Sequence, residues 1–581
     1  MWRSRVVSIA AVIVVFILGG CGVGARSRSA LPDAVYSRGV VAADHAIASR
    51  AGLEMLERVG NAVDAAVATS FCLAVVRPQS CGLGGGGFMV IHLSADEPMP
   101  ARNIAITYRE TAPSDLHGDY YVQLDAPDAS RIGPHAVGVP GTVAGLLYAL
   151  ENFGTLDRAA VLRPAIRAAE RGFAIDADYA AAAQEVLEDL AEHPQWPDLI
   201  GRERFEWFHH RFLFDGNPRV GQVLRQPELA ETLRLIARDG AAAFYTGPVA
   251  AAIAQTCPAM SAADLARYEP RVSRPLTGAF RGRQVIAMPL PSSGGIAMLE
   301  TLGLLERRWS DLEATTQNSP EYIHLVVEAM KHAFADRAEW LGDDRFVDVP
   351  VSTLLDSEYL DSLADRIETT RAQPPERYGS REQLPTDGGT SHLSVVDQWG
   401  NAVACTETIN LEFGSLTAIP EFGLLLNDEM DDFLTIPGQR NAFGLEQSER
   451  NLPEPGKWPL SSMSPTIVLG ADGLVEVVVG ASGGPRIISS SLQAILSVLL
   501  FDDSAEEAVS AARFHHQWMP DVLQFEDRWP DETVVEAMRG LGHEVGRRED
   551  IGVVQLIRRS DDGKGWTAAS DPRKGGKPAG R

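Results

Sequence analysis

Thr390–Asp397 reads as a strand, residues 402–410 read as another, and Asp397-Gln398-Trp399-Gly400-Asn401 between them is a turn signal. Two such runs, so closely joined, point to an antiparallel hairpin. Centring it on Trp399 fixes the register: opposed residue numbers sum to 798, so Thr390 faces Thr408. Directly opposed residues carry Cβ atoms about 4.5–5.5 Å apart, which brings two hydroxyls within reach of each other. Side chains alternate between faces. Asn410 therefore falls beside Thr408, while Leu393, Val395, Val403 and Cys405 form the other, core-facing side.

Thr390 also stands at a junction. It follows Asp387-Gly388-Gly389, at the end of a polar, Pro- and Gly-marked stretch over 371–389 that reads as an exposed linker. A threonine hydroxyl is a weak nucleophile and needs a base. A free α-amine, with a pKa of about 7.7–8.0, is such a base on the same residue. Only a cut between Gly389 and Thr390 liberates it. The glycines let the backbone bend so that the Thr390 hydroxyl can attack the Gly389 carbonyl.

Elsewhere the chain alternates helical and extended patterns. Asn61 fits an N-cap, with Ala62–Val76 a strongly apolar helix. Gly82 to Gly87 formally satisfies G-x-G-x-x-G, but a helix precedes it and a strand-like run, 88–93, follows. A dinucleotide fingerprint has the opposite order, so these glycines are read as places where backbone approaches backbone. Helical spacing marks 142–152, Arg158–Arg171, 177–193 and Pro320–Trp340. Beyond the linker, strands come first, with helices near Arg486–Phe501 and 504–513. No internal repeat of 20–50 residues is evident.

Composition narrows the function. With 52 Lys+Arg against 78 Asp+Glu the net charge is −26, which argues against nucleic acid, whose phosphates need clustered cations. Arg3 and Arg5, the apolar run from Val6 to Leu18 and the box Leu18-Gly19-Gly20-Cys21 read as an export signal over 1–20. The box resembles that of bacterial lipoproteins, in which Cys21 carries the lipid and the body stays at the periplasmic or cell surface; the other reading is an ordinary signal that ends near a cysteine. The run is short for a membrane span, and no later segment has 18 uninterrupted apolar residues. Cys72, Cys81, Cys257 and Cys405 are either oxidised, in any of three pairings, or small buried thiols. Neither CxxC nor HExxH occurs, and the neighbours in His209-His210 and His515-His516 point in different directions. No metal site is expected.

An ordered set of motifs then resembles the γ-glutamyltransferase (glutathione hydrolase) family of the N-terminal nucleophile hydrolases. The motifs are Gly60-Asn-Ala-Val-Asp-Ala-Ala-Val67, Gly82 to Met89, Arg109-Glu-Thr-Ala-Pro113, Thr390 to Asn401, Phe413-Gly414, Leu426-Asn-Asp-Glu-Met-Asp-Asp-Phe433, Pro459-Leu-Ser-Ser-Met-Ser-Pro465, Gly483-Gly484 and Ala512-Arg-Phe-His-His-Gln-Trp518. The resemblance implies an α/β (α+β) fold, a four-layer αββα sandwich. It implies one precursor that cleaves itself into a large subunit, 21–389, and a small subunit, 390–581, which remain together as a heterodimer.

The resemblance also implies roles. Thr390 is the nucleophile and Thr408 the hydroxyl that orients it. Arg109 grips the substrate α-carboxylate, as suits a planar guanidinium fork, and Ser461 and Ser462 share that task. Asp432 takes the α-ammonium, with Glu429 and Asn410 beside it. Gly483 and Gly484 lend backbone N–H groups to an oxyanion hole. The substrates implied are glutathione and other γ-glutamyl compounds, with water or amino-acid and peptide acceptors, and no cofactor is needed. Residues 437–458 are long enough for the lid loop of some members, with Phe443 where well-known bacterial members carry Tyr. Glu429 stands where some bacterial relatives have Gln, Ser391 where many have Thr, and Pro485 where Ser is often seen. Two rivals remain: a glutaryl or cephalosporin-type acylase of the same fold, whose substrates can lack the α-ammonium, and a catalytically silent binding lipoprotein.

Overall fold

The computed structural model describes residues 34–96, 99–124, 126, 128–379, 389–436 and 448–581. The export signal, Cys21, linker residues 380–388 and Phe443 with the first half of the expected lid lie outside this set.

Two antiparallel sheets are stacked face to face. The first has seven strands in the order Ala579–Gly580, Gly39–Ala43, Thr390–Asp397, Ala402–Thr408, Gly86–Leu93, Arg102–Thr107 and Arg271–Ser273. The second has six, in the order Trp566–Ser570, Val553–Arg559, Val475–Ser482, Thr466–Leu469, Arg283–Ala287 and Leu276–Phe280. Helices Ala46–Glu57, Ala62–Val76 and Thr142–Phe153 cover the outer face of the first sheet, and Arg158–Arg171 packs on them. Gly294–Arg307 and Arg486–Phe501 cover the second, with Pro320–Trp340 packed behind. This is the four-layer αββα arrangement.

Alternation along the strands divides the interior in two. Val41, Met89, Ile91, Leu393, Val395, Val403 and Cys405 join the helices of the first outer layer. Their neighbours Val40, Phe88, Val90, Val396, Ala402 and Ala404 face the second sheet. Because both faces are covered, the whole of Thr390–Asp397 is buried. That explains its imperfect hydrophobic alternation: the residues turned toward the second sheet include Thr390, His392 and Ser394. His392 bonds Thr406 Oγ1 at 2.8 Å and Ser394 Oγ at 3.2 Å, and burial pushes its pKa down to about 3, so it is neutral. It packs on Gly480 of the second sheet, where an added Cβ would lie 2.3 Å from the imidazole Cε1.

Local chemistry fixes the ends of these elements. Asn61 caps Ala62–Val76 in a capping box with Asp64. Asp397 closes the hairpin by accepting from the N–H groups of Trp399 and Asn401 at Oδ1, and its Oδ2 accepts from Asn401 Nδ2 and from Ala62 N at 2.9 Å. The turn is thereby tied to the first turn of the helix. The glycine run passes tightly along the partner strand: a Cβ on Gly85 would lie 2.1 Å from Thr408 O.

Three expectations are corrected. The second hairpin strand ends at Thr408, and Asn410 has φ 78, so strand alternation does not place it. The helix expected over 504–513 spans Ala505–Ser510. The described part of the linker is not simply exposed, because Ala372 N bonds Leu541 O, Gln373 O accepts from Lys331 and Pro375 O accepts from Trp518 Nε1. The four described cysteines are buried free thiols, and burial pushes Cys72 and Cys257 up to about 12. No helix among the described residues is long and apolar enough to cross a membrane.

Candidate active site

The hairpin register places Thr390 opposite Thr408. Their hydroxyl oxygens are 3.4 Å apart, and each donates to Gly389 O at 2.8 Å. Asn410 N in turn donates to Thr408 Oγ1 at 2.9 Å. The intact chain thus holds the Thr390 hydroxyl against the peptide unit that precedes it, and Thr408 holds the carbonyl of that unit.

These groups open into a small cavity. Thr390, Thr408, Asn410, Arg109, Glu429, Asp432, Ser461, Ser462 and Gly484 all line it. Of the ten residues singled out in the sequence, only Gly483 is not among the lining groups. Gly483 (φ 119) and Gly484 (φ 56) turn the chain from strand Val475–Ser482 into helix Arg486–Phe501, in conformations that favour glycine. The turn sets the start of that helix, with its partial positive charge, at the cavity.

Charge in the cavity is paired. Arg109 is 1% exposed and contacts both Glu429 and Asp432. Burial opposes its charge, but the two carboxylates outweigh that and raise its pKa. Burial likewise raises the pKa of Glu429 and of Asp432 against the pull of Arg109. Glu110, beside Glu429, is pushed up to about 7 by burial. Asn410 Nδ2 donates to Asp428 O at 3.1 Å.

Arg337 is a cavity residue that sequence reasoning missed. Its Nε donates to Ser293 Oγ at 2.9 Å and its NH2 to Ser462 Oγ at 3.3 Å. Burial lowers its pKa to about 10, and Asp432 counters part of that. The available signal was its place on helix Pro320–Trp340, in line with Ile323, Val326, Met330 and Ala333 on an otherwise apolar stripe. Lys574, near the C-terminus, donates to Thr390 O at 2.7 Å and carried no sequence signal.

One trio of possible metal ligands comes together among the described residues, His324, Glu328 and His543, away from the cavity. Its members are already engaged. His324 Nδ1 and His543 Nε2 share a hydrogen bond at 2.8 Å, and Glu328 has Tyr378 OH and the Lys331 ammonium beside it.

The architecture has a solved counterpart in the cephalosporin acylase from Bacillus halodurans, with a TM-score of 0.82 at 24% identity, over 96% of this chain and 99% of that one. The fold is that of the N-terminal nucleophile hydrolases. The gamma-glutamyltranspeptidase family profile matches residues 48–581. Glutathione hydrolase proenzymes of Escherichia coli (strain K12) and Pseudomonas aeruginosa are each 38% identical to it, over 92% of this chain and 90% of the former protein, and 95% of this chain and 96% of the latter. A gamma-glutamyltranspeptidase from Pseudomonas nitroreducens, solved in complex with L-DON, aligns at 33% identity and a TM-score of 0.51, over 57% of this chain and 95% of that one. The chain belongs to the gamma-glutamyltranspeptidase family.

Proposed function

We propose that this enzyme hydrolyses and transfers the γ-glutamyl group of glutathione and related compounds, after cutting itself between Gly389 and Thr390. The observation that carries the reading is the Thr390 hydroxyl lying on the Gly389 carbonyl at the mouth of a cavity in which the Arg109 guanidinium sits between two carboxylates.

Maturation begins when Thr390 Oγ1 attacks the Gly389 carbonyl carbon. The C–N bond breaks as an ester forms, and the proton passes to the leaving nitrogen. Water then hydrolyses the ester. Gly389 gains a carboxylate, and Thr390 gains a free amine beside its own hydroxyl. In turnover that amine takes the hydroxyl proton, and the oxygen attacks the γ-amide carbon of the substrate. Gly483 and Gly484 supply N–H groups to the developing oxyanion. The amine product leaves with the transferred proton, and water or an acceptor amine releases the γ-glutamyl group from Thr390.

A zwitterion suits the cavity electrostatically. Its α-carboxylate takes the Arg109 fork with Ser461 and Ser462, while its α-ammonium takes Asp432, Glu429 and Asn410. The ammonium then replaces Arg109 beside the two carboxylates while Arg109 takes the α-carboxylate, so each charge of the zwitterion meets its opposite. A glutaryl group would draw Arg109 from its carboxylates without bringing an ammonium to replace it. This favours the γ-glutamyl reading over the acylase.

N-terminal sequencing of the smaller fragment, combined with a γ-glutamyl anilide assay, tests the proposal. Fragments of 21–389 and 390–581 are expected, and Thr390→Ala should give one uncut chain without turnover. An active enzyme whose 389–390 bond is intact would overturn it. We also assign residues 1–20 to an export signal and Cys21 to lipid attachment at a bacterial membrane. Cys21→Ala should then move the protein from the membrane to the soluble fraction.

A further inference from the structure

We infer that Lys574 is a positioning residue that keeps the Thr390 end in place once the chain has been cut. The inference rests on the reading of Thr390 as the nucleophile and adds a residue that this reading does not supply.

Cleavage turns Thr390 from a mid-chain residue into a chain end, and chain ends fray unless something ties them down. A nucleophile must hold its place to within about 0.5 Å. On one side the Thr390 strand has the ladder to Ala402–Thr408, which runs to the Thr390–Thr408 pair. On the other side its neighbour Gly39–Ala43 runs out at the pairing of Ala43 with Leu393, so residues 390–392 have no strand partner there. Lys574 supplies a bond where that strand has ended. Its ammonium donates to Thr390 O at 2.7 Å and to Ser80 Oγ at 3.0 Å, and lies 3.2 Å from Asp44 Oδ2.

Burial alone would disfavour the charge, but Asp44 and Asp178 outweigh it and raise the Lys574 pKa, so the cation persists at neutral pH. The anchor itself is firm. Gln555 Nε2 donates to Asp44 Oδ1 at 2.7 Å, and Lys574 O accepts from the buried Arg77 guanidinium at 2.8 Å. Asp44, Arg77 and Ser80 belong to the large fragment, whereas Lys574 and Thr390 belong to the small one. The lysine thus fastens the new chain end to a frame that the cut does not touch. It reaches none of the groups that hold the γ-glutamyl α-carboxylate and α-ammonium, so its loss should affect turnover and leave binding nearly intact.

The test compares the wild type, Lys574→Gln and Ser80→Ala as full chains. Fragment N-termini, kcat and KM are measured with a γ-glutamyl anilide. The expected result for Lys574→Gln is a small fragment that still begins at Thr390, with kcat down about 10- to 100-fold, the usual range for a lost charged hydrogen bond, and KM within about threefold of wild type. Wild-type kcat in the processed variant, or a loss confined to KM, would overturn the inference. If Lys574→Gln does not accumulate as folded protein, Ser80→Ala decides. It frees the lysine from one tether, so kcat should fall severalfold at constant KM, and an unchanged kcat would overturn the inference. A wild-type small fragment that starts anywhere but Thr390 would instead bring down the reading beneath it, which keeps the two failures apart.

Discussion

Thr408 and Arg109 show how much single side chains contribute in this cavity. Thr408 Oγ1 donates to Gly389 O, the oxygen that becomes an oxyanion during self-cleavage. Removing one such donor typically costs about 2.7–4 kcal/mol of barrier. Thr408→Val should therefore slow the appearance of fragments by about 10²- to 10³-fold in a time-resolved denaturing gel, and Thr408→Ser should restore most of the rate. Arg109 meets Glu429 and Asp432 with separate nitrogens while its Nε reaches Pro459 O at 3.4 Å. A lysine offers a point charge and no fork. Arg109→Lys should raise KM for a γ-glutamyl anilide by about 10- to 100-fold, corresponding to about 1.5–3 kcal/mol of charged hydrogen bonding, with kcat changed less. The Thr390–Thr408 pair was legible in the sequence because both residues sit on one hairpin, where counting alone sets the register. Arg337 and Lys574 were not, since nothing local relates a helix near 337 or a tail near 574 to a strand at 390. Their role arises only when four layers stack.

The hairpin and the helix it touches carry their own predictions. Asp397 satisfies three backbone N–H groups, including Ala62 N at the start of a buried helix. Asp397→Ala orphans the buried Ala62 N and frees the two part-buried N–H groups of the turn, and a buried unsatisfied donor costs about 1–3 kcal/mol. A loss of at least about 1 kcal/mol is expected, read as a lower urea midpoint at unchanged slope. Glu407, on the strand paired with Thr390–Asp397, lies between Ser70 and Tyr108, and burial pushes its carboxyl from 4.5 up to about 7. The unfolded chain gives up this proton first, so between about pH 4.5 and 7 the native state binds more protons, and stability falls as pH rises. Above about 7 both states are ionised and the effect levels off. Glu407→Gln keeps one acceptor and one donor without ionising. Its stability relative to wild type should climb across that window by an amount on the order of 3 kcal/mol, as urea titrations at several pH values would show. The elements themselves were largely legible. Asn61 marked its helix, and the spacing found Arg158–Arg171 and Pro320–Trp340. The exceptions have physical causes: Asn410 leaves strand geometry through a positive φ, and the linker before residue 380 is docked by contacts from Lys331, Trp518 and Leu541, all distant in sequence.

In the assembled molecule the central sheet interleaves the two prospective fragments. Gly39–Ala43, Gly86–Leu93, Arg102–Thr107 and Arg271–Ser273 come from one side of the 389–390 bond, and Thr390–Asp397, Ala402–Thr408 and Ala579–Gly580 from the other. Neither piece owns a complete sheet or a complete core. After processing the two should elute together in size-exclusion chromatography, and each alone should be soluble only in denaturant. Stacking also sets a length. Where Gly480 meets His392, the clearance between sheets is less than a methyl group. His392 is two residues from the attacking oxygen, and Gly480 stands in the strand that leads to Gly483 and Gly484. Gly480→Ala would act as a wedge driven in beneath the catalytic floor, shifting the strand of the attacking oxygen relative to the glycine turn that follows Gly480. An assay should find turnover failing in that variant well before the fold does, so that the calibre of the whole reaction is set by a hydrogen atom.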